Sequence, residues 1–357
     1  MKSNVEKTKK LLLEHFDNYP RLQIADMFKY IHQSAFGCEH MVSSEEFAIE
    51  YIRKEYNALT VKSAREAEML DGEYRRVHLS IIDGGLSPET LGKLFCLSAK
   101  KEPLGNEALH EKLEAAKELI SEGKLPFDIY NFTHAESQWE AEGYPALHHS
   151  HSFRLAYSPA YRVIAEEYVK LLPMLSRIDK ALSRGTLTIA IEGGSASGKS
   201  TLGELLKRLY GCNLFHMDDF FLRPEQRTAE RFAEAGGNVD RERFLSEVLL
   251  PTSRNETVNY RRFDCSSQTV LPPVSVSPKK LTVIEGAYSM HPDLAPYYDF
   301  GVFLDIGKEY QRERIVKRNT PEFAKRFFNE WIPLEEKYFS QMNVKERCAL
   351  TIPITKN

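Results

Sequence analysis

Residues 193–200 read Gly193-Gly194-Ser195-Ala196-Ser197-Gly198-Lys199-Ser200, with Thr201 following. The spacing fits G-x-x-x-x-G-K-[ST], a phosphate-binding loop. The residue types suit that chemistry. Glycines let the backbone curl until successive N–H groups face phosphate oxygens. A helix starting there adds the positive end of its dipole. Lys199 can reach β- and γ-phosphates, and the Ser200 hydroxyl can enter a Mg2+ shell. The cofactors this implies are ATP and Mg2+. A Gly/Ser-rich turn without a ligand is the alternative, and the flanking elements decide between them.

Those flanks are what the loop needs. Leu187-Thr188-Ile189-Ala190-Ile191 is a short apolar run that reads as a buried strand. Leu202, Leu205, Leu206 and Leu209 follow at helical spacing, and Gly211 can end that helix. Further strands are expected at 213–217, 281–285 and 300–305, with a helix after the last. This alternation predicts an α/β fold: a P-loop NTPase parallel sheet with helices on both faces, over residues 185–357. Ligands bind such sheets at the carboxyl ends of the strands, so the residues just past each strand carry the chemistry.

Past the second strand stands His216-Met217-Asp218-Asp219-Phe220-Phe221. A carboxylate there, Asp218 first, can accept the proton of a substrate hydroxyl during phosphoryl transfer, although Asp is also common in plain turns. Past the third comes Ile284-Glu285-Gly286-Ala287-Tyr288. Glu285 can serve Mg2+ directly or through water. Asp305, past Val302-Phe303-Leu304, is the rival, and it can equally cap the next helix. The expected catalytic set is Lys199, Asp218 and Glu285, with Ser200 and Glu285 on the metal. A basic stretch follows, with Arg312, Arg314, Lys317, Arg318, Lys325 and Arg326. It is either a solvated helix face or a lid that neutralises developing charge; Arg314 and Arg318 are the lid candidates.

Over residues 185–355 the chain resembles the uridine kinase and phosphoribulokinase group of P-loop kinases. GGSASGKST resembles their G-G-[ST]-x-S-G-K-[ST] loop. MDDFF resembles their D-[SD]-F-[YH] segment, whose first Asp, the proposed base, falls on Asp218. Gly237-Asn238-Val239-Asp240 with Phe244 resembles N-[FW]-D…F. The stretch from Val258 through Tyr260, Arg261, Arg262 and Phe263 to Asp264 resembles their acceptor-side P-x-Y-D-[FY]. IEGAY resembles F-E-G-I-[LH], and Arg314 to Arg318 stands where their lid arginines begin. The resemblance implies ATP-dependent transfer of a phosphoryl group to a small-molecule hydroxyl, with Tyr260, Arg261 and Arg262 on the acceptor side. Two departures bear on the acceptor. Tyr260 is followed by Arg261-Arg262, with no His before His291, and the lid reads Arg326-Phe327-Phe328-Asn329-Glu330-Trp331. Two arginines suit an acceptor that already bears phosphate or carboxylate, so the acceptor class is nucleoside, sugar or anionic metabolite. The other readings are a regulatory or switch NTPase and an RNA-associated P-loop protein. The first lacks any Asn-Lys-x-Asp or Leu-Ser-Gly-Gly-Gln motif.

Composition sets outer bounds. The chain has 357 residues, enough for two domains. Its formal net charge of −3 argues against a nucleic-acid partner. Five scattered cysteines (38, 96, 212, 265, 348) form no CxxC pair, which suits reduced thiols and a cytoplasmic protein. No apolar run approaches membrane-spanning length, so no membrane partner is expected. A homo-oligomer stays open. Residues 1–184 read as a mostly helical accessory domain, with the joint at Ser183-Arg184-Gly185. Its expected helices are 5–16, 23–36, 45–56, 88–99, 107–120 and 159–182, with a strand in 74–82. Nine of the eleven histidines lie before residue 152, among them His32 and His40 beside Cys38, and His148, His149 and His151. Their spacings fit no standard zinc pattern, so ordinary buried or capping histidines are expected, not a metal.

Overall fold

The computed structural model describes residues 2–38, 44–71 and 73–356. The chain divides into two compact units, Met1–Asp179 and Lys180–Asn357.

The first unit is built mainly of helices: Lys2–Asn18, Ile24–Phe36, Glu45–Asn57, Pro88–Ala99, Gly105–Ser121, Ile129–Ala141 and His151–Tyr157. Side-chain caps start several of them. The Ser44, Ser87, Asp128 and Ser150 side chains accept the N–H of the residue three ahead, and Pro88 occupies a first-turn position. Helix Ile24–Phe36 is central, buried on every side from Asp26 to Ala35. It packs in a unit with a three-stranded antiparallel sheet, β1 (Ala67–Met69), β2 (Tyr74–His78) and β3 (Tyr161–Ala165), in that order.

One expectation is overturned here. Residues 159–182 do not form one helix. Residues 161–165 are β3, and two helices, Glu166–Val169 and Leu172–Leu182, follow. Tyr161, Val163 and Ile164 are aromatic or β-branched, and the free side of β2 supplies a partner, with Val163 opposite Arg76 and Tyr161 opposite His78. Pairing with β2 outweighs the helical spacing of the apolar residues. Helices Ile129–Ala141 and His151–Tyr157 were not foreseen; their polar, aromatic-rich sequences carry little periodic signal.

The second unit holds β4 (Leu187–Gly193), β5 (Asn213–His216), β6 (Val258–Tyr260), β7 (Phe263–Asp264), β8 (Thr269–Val270), β9 (Val274–Val276), β10 (Leu281–Glu285), β11 (Phe300–Ile306) and β12 (Leu350–Ile354). Five of these form the main sheet in the order β12-β11-β4-β10-β5, every pairing parallel. The fold is therefore α/β, a parallel sheet with flanking helices. β6 pairs with β9 and β7 with β8, both antiparallel. All five residues of β10 are buried, as a strand covered on both faces requires. β4 is the middle strand, and its neighbours connect in opposite directions, so its carboxyl end lies at a switch point of the topology. β12 escaped the sequence reading because Pro353 interrupts it. It is an edge strand, where proline is tolerated. No helix among the described residues is long and apolar enough to cross a membrane.

Candidate active site

The loop at the end of β4 has the geometry its sequence requires. Gly193 and Gly198 have φ of 144° and 104°, where a side chain is strained. A Cβ on Gly193 would also stand 2.6 Å from the Leu304 carbonyl oxygen. Gly198 leads directly into helix Lys199–Tyr210, so that helix's N-terminal amides open onto the loop. Lys199 Nζ donates to the carbonyls of Gly193 (2.8 Å) and Gly194 (3.1 Å), which holds the ammonium over the loop. Ala196 takes a left-handed conformation within it, at φ 63°, and Ser197 is buried there. The Thr201 side chain is exposed at the first turn of the helix.

β10 and β5 run alongside and bring their end residues to the same rim. Ser200 Oγ donates to Glu285 Oε1 at 2.9 Å, and His216 Nδ1 lies 2.5 Å from the same oxygen. That hydrogen bond raises the His216 pKa. After β5 a tight turn, Met217–Phe220, buries Met217 and Phe220 and leaves Asp218 and Asp219 between them. Asp218 keeps exposed surface, yet its carboxyl is closely surrounded by protein. That desolvation raises its carboxyl pKa, opposed by the charge of Lys199. Glu285, His216 and Arg318 also act on it. Asp219 is raised for the same reason, with His216 and Arg262 pulling it back.

Two lid candidates reach this rim. The Arg314 guanidinium lies 3.9 Å from where a side chain on Gly198 would be, and Arg318 is near enough to Asp218 to lower its pKa. The acceptor-side trio is divided. The Tyr260 ring is buried in the core against Phe215 and Phe220, at centroid separations of 5.2 and 6.0 Å. Arg261 is held by Glu247, with Nη2 2.6 Å from Oε1. Arg262 is exposed: its carbonyl accepts the Leu271 amide at 2.8 Å, its guanidinium has no hydrogen-bond partner among the described residues, and it lies within electrostatic reach of Asp219. The rival metal candidate, Asp305, forms an exposed pair with Lys345 at 2.7 Å.

Four residues that sequence reasoning missed hold the site in place. Glu335, from helix Ile332–Gln341, accepts the Ser195 amide at 2.8 Å and its hydroxyl at 2.6 Å, and burial raises its pKa. Gln311 donates to the Ser195 carbonyl at 2.9 Å. Glu192, just before the loop, is fully buried and accepts the amides of Gly193 (2.9 Å) and Met290 (3.1 Å) and the hydroxyl of Tyr338 (3.1 Å). Burial pushes its pKa up to about 7. Arg243 stacks 4.2 Å over Phe220 and donates to the Asp219 carbonyl at 3.2 Å, which fixes the turn that presents Asp218. No short-range motif marks the first three. Arg243 follows Asp240, whose segment the family resemblance did single out.

Ser200 and Glu285 offer hard oxygen donors from adjacent elements, and Mg2+ needs only one or two such ligands besides water and phosphate oxygens. They fit that ion. In the first unit the histidine clusters go elsewhere. His149 bonds Asp26, while His148 and His151 are exposed. Cys38 is buried, its thiol pushed up to about 12. His40 lies outside the described residues. Among the described residues no three His, Cys, Asp or Glu side chains gather into a metal-holding group.

No protein-family model and no curated protein matches the chain. Solved structures do. A possible uridine kinase from Bacillus stearothermophilus is 21% identical, covering 50% of this chain and 98% of that one, at a TM-score of 0.38. A protein described as a fructose transport system kinase, from Silicibacter sp. TM1040, is 22% identical over 47% of this chain and 90% of its own (TM-score 0.39). A shikimate kinase from Aquifex aeolicus is 16% identical over 48% and 88% (TM-score 0.26). Each of these matches covers about half of this chain.

Proposed function

We propose that the chain is a kinase that transfers the γ-phosphoryl group of ATP to a hydroxyl of a small molecule. The observation that carries this is the convergence of Lys199, the Ser200–Glu285 pair and Asp218 at the carboxyl ends of three neighbouring strands. In this reading the loop amides and Lys199 cradle the phosphates. Mg2+, held by Ser200 and Glu285, supplies charge neutralisation when bound. Asp218 orients the acceptor hydroxyl and takes its proton. Its raised pKa makes it a better base than an ordinary carboxylate. Arg314 and Arg318 face the charge that develops on transfer. Catalysis is then mainly positioning and electrostatics.

The acceptor reading rests on Arg262, the one of the two tandem arginines whose guanidinium has no hydrogen-bond partner among the described residues. A guanidinium within reach of Asp219 suits an acceptor that carries phosphate or carboxylate. The test is ADP release across a panel of nucleosides, sugars, sugar phosphates and hydroxy acids. An anionic or sugar-like acceptor should outperform uridine, and Arg262→Ala should raise its KM by at least tenfold. Uridine as the best acceptor, with Arg262→Ala silent, would restore a plain uridine kinase reading. Hydrolysis that no acceptor stimulates would favour a switch NTPase instead.

A further inference from the structure

The turn Met217–Phe220 and the end of β6 come from distant parts of the sequence, yet one side chain joins them. Arg243 stands on the short helix Arg241–Phe244, its side chain only 8% exposed. Its Nε lies 3.3 Å from Asp240 Oδ2, and its Nη2 donates to the Asp219 carbonyl at 3.2 Å. Its Nη1 donates to the Arg261 carbonyl, just past β6. The Phe220 ring covers one face of the guanidinium. All three nitrogens are thus committed, two of them to backbone carbonyls of separate segments.

Directly after Phe244 the chain winds into a π turn, Leu245–Leu249. Such turns are rare and collect at functional sites. This one presents Glu247. Its Oε2 accepts the Arg261 amide at 2.9 Å and lies 3.5 Å from Arg243 Nη1. Its Oε1 accepts Nε and Nη2 of Arg261, at 3.1 and 2.6 Å. Glu247 therefore holds Arg261 by backbone and side chain together, and the next residue, Arg262, keeps its guanidinium for other work. Three residues further on, Cys265 is near enough to Asp218 for that carboxylate to raise its thiol pKa. The stretch 261–265 and the turn that carries Asp218 therefore border one space. A buried guanidinium is a costly way to support Phe220, because an apolar side chain would pack there as well. What a guanidinium adds is a fixed spacing between two carbonyls, since its donors lie in one rigid plane.

We propose that Arg243, braced by Glu247, is a positioning residue that sets the separation between Arg262 and Asp218. The inference rests on the transfer reading above, with Arg262 on the acceptor's anionic group and Asp218 on its hydroxyl. Acceptors are then chosen by the reach between those two groups. Chain length, as well as charge, becomes a criterion of selection.

The test measures ADP release by the full chain with ATP and Mg2+. The probes are glycolate, 3-hydroxypropionate and 4-hydroxybutyrate, with 2-hydroxyethyl and 3-hydroxypropyl phosphate beside them. In the unsubstituted chain one length should exceed its neighbours in kcat/KM by about tenfold or more. Arg243→Lys keeps the charge but cannot span two carbonyls in one plane. Its kcat at the best length should fall about ten- to a hundredfold, its length preference should shrink to about threefold or less, and its ATP affinity should hold. Should Arg243→Lys fail to fold, as read by circular dichroism, Glu247→Gln decides, and it should flatten the same preference. A folded variant with the parental kcat and preference overturns the proposal. So does one in which every length slows by the same factor, which is what plain structural support gives. Stimulation by no probe also overturns it, while the transfer reading is decided by the wider acceptor panel above. If no member of that panel stimulates ADP release either, both fall.

Discussion

Asp218 and Asp219 are neighbours with different surroundings, and substitution separates them. Asp218→Asn keeps the shape of the turn and removes the base. Turnover should fall by roughly two to four orders of magnitude, while ATP affinity, measured by fluorescence titration, stays within about threefold. Asp219→Asn should be milder, because Arg243 grips the Asp219 carbonyl and not its carboxylate. The reverse ranking would move the base by one residue. Lys199→Ala should remove nearly all transfer without loss of circular dichroism signal; unchanged turnover would sink the kinase reading. Glu192 gives a pH signature. Burial holds its folded pKa near 7 against an ordinary value of 4.5. The folded chain therefore binds a proton that the unfolded chain releases. That contribution is complete below pH 4.5 and is lost as pH rises through 7. Urea midpoints should drop between pH 5 and 8, and Glu192→Gln should flatten that slope. An unaltered slope would put the titrating group elsewhere.

Helix Ile332–Gln341 links the loop to its base: Glu335 holds Ser195, and Tyr338, one turn later, holds Glu192. Glu335 is also near enough to Lys199 to be influenced by its charge. A carboxylate there opposes a triphosphate. Glu335→Gln keeps an acceptor for Ser195 and removes that charge, so ATP should bind about fivefold more tightly, roughly 1 kcal/mol. Weaker binding would mean that the bracing matters more than the repulsion. This contact joins residues 140 positions apart, which is why no reading of spacing could find it. The strands that hold the loop were legible because a continuous apolar run bounded by glycine or charge has few other readings, as in Leu281–Glu285. Lys199, Ser200, Glu285 and Asp218 were legible because each ends or follows such a run. β3 and β12 were not. Pro159 looks like a helix start, and Pro353 looks like a strand stopper, until the paired neighbour is known.

At the scale of the whole chain, each unit has its own buried core. We expect calorimetry to resolve two unfolding transitions. ATP with Mg2+ at a hundredfold excess over Kd should stabilise only one, by about 2.7 kcal/mol. One transition, or a shift of both, would contradict the assignment of nucleotide binding to a separate domain. The main sheet has β12 at one margin and β5 at the other. β12 is five residues long and contains Pro353, with Lys356 just beyond it. Short length, proline and lysine are the features that keep an open strand from recruiting a foreign one. The consequence is colloidal. Concentrated protein should resist fibril-like association along this margin, and replacing Pro353 with valine should turn a blunt end into an adhesive one.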